Sequence, residues 1–348
     1  MIGKPTRKVL SRTVLDLTGA SSKGVIKGPS FGVDVSVLTV GRNRVMIANC
    51  DPISLIPALG PKDSALMSVN EVASDVATSA NAPRYALFDL NLPARLSDRT
   101  LEQYWASISN VCSKLGVTIV GGHTGRFEGC DYSIVGGAMM WTFCRKNEYL
   151  TSNMARDGDD LLLTKSAAFG ATAVLSRVFP QSVRRYVGPS LYRDCVTYFA
   201  RMDTVLDSLE AASVGMHDKG VTAIHDVTEG GVYAAVFEMS SASRIGCVLY
   251  VDEIPVSAES LQVCKLFKID PMRSLGEGSI LVSSRPDKTG RILSRLKSRR
   301  VQATVIGRFT TKSQGVRGLT SKGETKIRYP IRDPYWDAYS RAMRKGWG

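Results

Sequence analysis

Eight residues, Val117-Thr118-Ile119-Val120-Gly121-Gly122-His123-Thr124, constrain this chain more than any other stretch. Four β-branched side chains in succession favour a short buried strand, and the glycine pair is expected to end it in a sharp turn where nothing protrudes. Such an exit brings backbone N–H groups close to a ligand, and phosphate oxygens suit a nest of that kind, although an ordinary glycine turn looks the same in sequence. His123 and Thr124 then fall at the rim. What separates the two readings is whether acidic residues elsewhere can be gathered beside the turn.

Candidates are present. Phe31 to Val40 alternates like a half-buried strand, turns at Gly41 to Asn43 and returns through Arg44 to Asp51. Antiparallel pairing would bring Asp34, near the start of one strand, to Asp51, at the end of the other. Two carboxylates so placed repel unless a cation such as Mg²⁺ lies between them, or unless both are solvated turn residues. Asp63 or Ser64 can cap a helix to about Ala80 with Leu66, Val69, Val72, Ala73, Val76 and Ala77 as its buried stripe. Asp75 lies beside that stripe, among small residues that leave room for a ligand. A strand from Arg84 to Leu90, a helix from Thr100 to Leu115 stopped by Gly116, the opening strand, and a long strand from Tyr132 to Phe143 complete the first half.

Hydrophilic residues 145–159 read as the connection to a second domain. That domain opens with a strand at Leu161 to Thr164 and a helix at Ala167 to Phe179, followed by a helical stretch over about 190–213. The segment Ala223-Ile224-His225-Asp226-Val227-Thr228-Glu229-Gly230-Gly231 leads into a helix to about Ser243, with Thr228 as its expected N-cap. The field at that helix start suits an anion, and Asp226 just outside could share a cation with a phosphate or serve only as a cap. Glu277 sits between Gly276 and Gly278 before the strand Ser279 to Val282, where a glutamate gains nothing in propensity and is otherwise a solvated turn residue. The expected division is an arm (1–30), a first domain (31–155), a second domain (156–335) and a basic tail (336–348).

Composition narrows the function classes. With 348 residues, 44% hydrophobic and 22% charged, the chain can bury two cores, and no apolar run approaches the roughly 18 residues of a membrane span. A cytoplasmic protein is expected, because seven cysteines without a C-x-x-C pair argue for reduced thiols rather than a disulfide framework or structural zinc. Residues 285–348 carry 17 Lys and Arg against 4 Asp and Glu, which accounts for the whole net charge of +13. They form either a surface for nucleic acid or another polyanion, or a solvated basic face. Gly19 and Gly24 have P-loop spacing, but no Lys-Ser or Lys-Thr follows, and H-E-x-x-H and G-x-S-x-G are absent.

Taken in order, the motifs resemble those of the superfamily that holds aminoimidazole ribonucleotide (AIR) synthetase, selenophosphate synthetase, thiamine-monophosphate kinase and the hydrogenase maturation protein HypE. Gly32-Val33-Asp34-Val35-Ser36-Val37-Leu38 is similar to its acidic strand start, Asp51 to its strand-end aspartate, and Ser74-Asp75-Val76-Ala77 through Ala82-Pro83 to its helical segment. Gly121-Gly122-His123-Thr124, Asp226-Val227-Thr228-Glu229-Gly230-Gly231 and Gly276-Glu277-Gly278 resemble its Gly-Gly-Asp-Thr turn, Asp-Val-Thr segment and Asn-Glu-Gly turn. The resemblance implies a two-domain α/β (α+β) PurM-like fold: a ferredoxin-like N-terminal domain pairing into a dimeric β-barrel, and a C-terminal α+β domain. It implies a homodimer binding ATP and Mg²⁺, with Asp34, Asp51, Asp75 and Asp226 as metal and nucleotide ligands. Gly121, Gly122 and Thr124 become phosphate-turn residues, and Glu277 and His123 catalytic ones. The activity implied is phosphorylation of an oxygen on an undetermined small molecule, or an ATP-driven ligase or dehydratase reaction.

Departures from the pattern are expected to change the chemistry. His123 stands where the turn has aspartate, Glu229 where HypE has arginine, and Val33 where the kinases have the first of paired aspartates. The ending Arg341-Ala342-Met343-Arg344-Lys345-Gly346-Trp347-Gly348 lacks the terminal cysteine of HypE, and no cysteine precedes Cys50, unlike the selenophosphate enzymes. A nucleotide-binding protein without turnover, or a nucleic-acid partner acting through residues 285–348, are the alternatives.

Overall fold

The computed structural model describes residues 5–130 and 133–348. The start of the expected arm (1–4) and Tyr132, the expected first residue of a strand, lie outside them. Two compact units emerge, one of residues 24–28 and 35–149 and a larger one of 1–23, 29–34 and 150–348. No helix among the described residues is long and apolar enough to cross a membrane.

In chain order the elements begin with a helical turn α1 (Arg7–Leu10). Strands β1 (Val25–Lys27), β2 (Ser36–Thr39) and β3 (Arg44–Ser54) precede helix α2 (Gly60–Ala77). Strand β4 (Tyr85–Pro93), helix α3 (Asp98–Leu115), β5 (Thr118–Phe127) and β6 (Ile134–Arg145) complete the smaller unit. Its six strands run β1-β2-β3-β6-β4-β5, antiparallel except for β4 with β5. Alternation on β4 buries Ala86, Phe88, Leu90 and Leu92 while Tyr85, Leu87 and Asp89 stay exposed. Helix α3 is capped by Ser97, whose side chain accepts the Thr100 N–H, so it starts two residues before the expected Thr100, and it ends at Gly116 in the left-handed region as the sequence indicates.

Two expectations about this unit are corrected. Gly121 and Gly122 do not end β5; the strand bulges at Val120 and continues to Phe127 beside β4. A Cβ on Gly122 would overlap the Phe88 carbonyl, and one on Gly136 in β6 would overlap the Asp89 carbonyl, so these glycines allow close strand approach rather than a turn. The β2–β3 ladder stops at Ser36 opposite Ala48, because Gly32 at φ +74° breaks the extended run, and Asp34 is not part of the hairpin.

The larger unit holds β7 (Asp160–Thr164), α4 (Phe169–Val178), α5 (Pro180–Val187), α6 (Pro189–Thr197), α7 (Val205–Ala212) and β8 (Val221–Val227). Then come α8 (Gly231–Ser243), β9 (Gly246–Tyr250), α9 (Ala258–Phe267), β10 (Ser279–Ser284) and α10 (Pro286–Ser298). Strands β11 (Ala303–Thr310), β12 (Val316–Thr320) and β13 (Gly323–Thr325) precede α11 (Pro334–Arg344). The sheet order is β13-β12-β9-β11-β7-β10-β8, over a core that includes Leu161, Leu163, Val227, Val236, Met239, Leu249, Leu281 and Phe309.

The expected helix over 190–213 is α6, a 3-10 turn and α7 instead. Residues 336–348 are no free tail: α11 buries Tyr335, Ala338 and Ala342, and the Trp347 ring packs tilted against Phe267 at 5.2 Å. Much of the C-terminal basic surplus is paired, Arg285 with Asp159, Arg295 and Arg299 with Glu210, and Arg308 with Asp160. All seven cysteines are unpaired, and five are buried.

Candidate functional site

Each unit presents one acidic cluster. In the smaller unit β3 alternates so that Asn49 and Asp51 face α2, which carries Asp75. The Asn49 amide donates to Asp51 Oδ2 at 2.7 Å and to Asp75 Oδ2 at 2.6 Å, tying the two carboxylates together. Glu71, one turn before Asp75 on α2, completes a group of three acids. Burial first, and then the like charge of Asp51, push the Glu71 carboxyl up to about 8.

That shift has a pH signature. Between the ordinary 4.5 and about 8 the folded unit binds more protons than the unfolded chain, so stability from this group falls as pH rises through that window. Glu71→Gln is expected to melt higher than wild type above pH 8 and to converge with it toward pH 4.5. Parallel melting curves across that range would assign the titration elsewhere.

The larger unit builds its cluster from distant segments. Strand β8 is buried throughout and delivers His225 and Asp226 at its C-terminal end. Asp34 arrives on the segment 29–34, seated where Gly32 lies against the backbone of Glu238 in α8, and Ser152 Oγ donates to Gly32 O at 2.7 Å. His225 Nδ1 meets Asp34 Oδ1 at 2.7 Å and Asp226 Oδ1 at 3.8 Å, and Nε2 meets Glu238 Oε2 at 3.2 Å. Burial alone would lower the His225 value, but Asp34, then Glu238 and Asp226, hold it well above that of an ordinary histidine. Both ring nitrogens are engaged in hydrogen bonds. Asp34, His225 and Asp226 have ligand-type atoms within 4.8 Å of one another, and Asp34 Oδ2 is buried without a hydrogen-bond partner. An oxygen-only donor pair with one orphaned oxygen fits Mg²⁺ better than zinc.

The remaining predicted residues are placed separately. Gly121, Gly122, His123 and Thr124 lie along β5, the last strand of its sheet, with His123 opposite Asp89 and with His123 and Thr124 exposed. Glu277 is buried in the turn before β10, its Cβ packed on Gly170. Lys165 clamps that turn by donating to Gly278 O at 2.5 Å while pairing with Asp207 at 3.0 Å. Thr228 is not the cap of α8: Gly230 is, and its N–H is held by Asp333 Oδ2 at 2.8 Å. Glu229 accepts the Trp336 indole N–H at 2.9 Å.

The sequence reading missed Asn49, Glu71, Lys165, His225, Glu238 and Tyr329. Only Glu71 left a signal there, as the residue one helical turn from Asp75 on the same face.

Each α/β unit carries its own acidic cluster, and sequence comparison assigns the class of protein. Residues 32–142 match the N-terminal domain, and residues 156–319 the C-terminal domain, of the AIR synthase related proteins. The chain belongs to that family and has its two-domain PurM-like fold. It is 23% identical over 308 residues to a Methanocaldococcus jannaschii protein described as a hydrogenase expression/formation protein, covering 86% of each chain. It is 25% identical over 257 residues to the Escherichia coli carbamoyl dehydratase HypE, covering 72% of this chain and 71% of HypE. The crystal structure of E. coli HypE matches at a TM-score of 0.68 over 83% of this chain and 87% of that one, with 21% identity. A HypE solved in complex with ATP matches at 0.65 over 96% and 97%, with 18% identity.

Proposed function

We propose that this protein binds ATP with Mg²⁺ and transfers the terminal phosphoryl group to an oxygen of a small-molecule substrate. The observation that carries the reading is the buried Asp34 Oδ2 without a hydrogen-bond partner, in a cluster with His225 and Asp226. The family, and the HypE solved with ATP, support the choice of nucleotide. Asp34 and Asp226 would hold Mg²⁺ in the larger unit, and Asp51 and Asp75 would do so separately in the smaller one. When bound, the ion neutralises phosphate oxygens and eases in-line attack on the terminal phosphorus. Gly121, Gly122 and Thr124 would meet the phosphates from the open side of β5, and His123 would add a donor there. Glu277, fixed by its turn, would take the proton of the attacking hydroxyl.

A homodimer is part of the same reading. Tyr85, Leu87 and Phe143 are each more than a third exposed on the sheet face opposite α2 and α3, and Trp141 packs on Tyr85 at 5.8 Å. A second copy of that face would cover this apolar surface.

The test is calorimetric titration of the full chain with ATP, with and without Mg²⁺, followed by phosphate release and light scattering on the same sample. Mg²⁺-dependent binding, slow turnover and a mass about twice 37.8 kDa are expected. Absence of nucleotide binding would overturn the reading, and binding without turnover over a broad screen of hydroxyl acceptors would reduce it to a nucleotide-binding role.

A further inference from the structure

The cluster around Asp34 continues away from the carboxylates already assigned. The Tyr329 hydroxyl donates to Glu238 Oε1 at 2.9 Å, and the other Glu238 oxygen faces His225 Nε2 at 3.2 Å. His225 Nδ1 then faces Asp34 Oδ1 at 2.7 Å, and the chain ends at Asp34 Oδ2, which has no partner. Tyr329 lies between β13 and α11, 91 residues from Glu238 in sequence. Its ring is packed edge-on against Phe31 at 5.9 Å and Phe237 at 6.1 Å.

We propose that Glu238 and Tyr329, acting through His225, are positioning residues that turn Asp34 Oδ2 toward a divalent cation. The inference rests on the reading of Asp34 as a cation ligand and goes beyond it by assigning what orients that ligand. The geometry supplies the reason. The ring lies between Asp34 on one side and Glu238 on the other, with a hydrogen bond at each nitrogen. One Asp34 oxygen is fixed by the ring and the other is left for a ligand, since a buried oxygen without any partner is costly. The Tyr329 hydroxyl in turn fixes the rotamer of Glu238, which sets the tilt of the ring. Outer groups that orient metal ligands in this way typically change metal affinity about 10–100-fold when altered.

The experiment uses Mn²⁺ alone as the probe, followed by electron paramagnetic resonance on the full chain. An Asp75→Asn background quietens the acidic cluster of the smaller unit. In that background Asp34→Asn is expected to remove the tight Mn²⁺ class. Glu238→Gln and Tyr329→Phe are each expected to weaken it about 10-fold, with melting midpoints close to the background. Tyr329→Phe removes a single hydroxyl and keeps the test open should Glu238→Gln fold poorly.

If Asp34→Asn leaves Mn²⁺ binding unchanged, the underlying assignment of Asp34 falls. If Asp34→Asn removes binding while Glu238→Gln or, failing that, Tyr329→Phe binds Mn²⁺ like the background, the assignment of Asp34 stands and the positioning role is overturned. Loss of affinity accompanied by an equal fall in melting midpoint would make these residues structural and would also overturn it.

Discussion

Asp34→Asn and Asp75→Asn, made singly, should each reduce Mg²⁺-dependent ATP turnover by about 100-fold or more while leaving the protein folded. Both changes are isosteric and remove a charge while keeping the side chain's shape. At Asp75 the new amide oxygen can still accept the Asn49 N–H that bridges to Asp51 at 2.7 Å on the other side. The change also removes one of three crowded acids, so the smaller unit should melt no lower than wild type. At Asp34 the new amide oxygen can still accept from His225 Nδ1, but the outward Oδ2 becomes an amide nitrogen, a donor where a cation needs an acceptor. Phosphate release measured beside thermal melting separates the outcomes. Full activity in either variant would remove that residue from the proposed machinery. Equal loss of activity and of melting midpoint would make it a folding residue.

What the sequence made legible follows from how far apart the interacting residues lie. Asp75 was marked by the helix period of α2, whereas Asp51, expected at a strand end beside Asp34, lies inside β3 and is joined to Asp75 through Asn49. The stop at Gly116 was readable because capping is local. Asp34 was misplaced because alternation from Phe31 to Val40 looks like one strand, while the positive φ at Gly32 that breaks it shows only in three dimensions. Its true partner is 191 residues away, and Glu238 and Tyr329 are a further step removed. Thr228 looked like a cap by type, but the glycine after Glu229 and a carboxylate from the start of α11 fill that role. The basic C-terminal segment looked like a free charged surface because its acidic partners, Asp159, Asp160 and Glu210, lie in the middle of the chain.

Gly122→Ala and Gly136→Ala are expected to be the most damaging single changes to the smaller unit. Strand β4 lies between β5 and β6, and the two glycines approach it at successive residues, one over the Phe88 carbonyl and the other over the Asp89 carbonyl. The atom that collides is Cβ itself, so alanine is nearly as bad as valine and no rotamer relieves it. The obstacle is backbone in the middle of a sheet, which moves only if the ladder opens. Both residues also hold φ values of +150° and +139°, which L side chains rarely adopt. Together these effects should cost on the order of 3–5 kcal/mol, a large part of the roughly 5–15 kcal/mol that keeps a domain folded. Gly41→Ala separates the two causes, because Gly41 has φ +135° but open space around its would-be Cβ. It should lose only about 1–3 kcal/mol from backbone strain. Urea melts of the three variants would check this. If Gly122→Ala and Gly136→Ala lost no more than Gly41→Ala, close packing of β4 would not be why these glycines are there. If the collision dominates, β5 should also separate from β4 and carry His123 and Thr124 out of register, so that nucleotide binding fails before the unit as a whole unfolds.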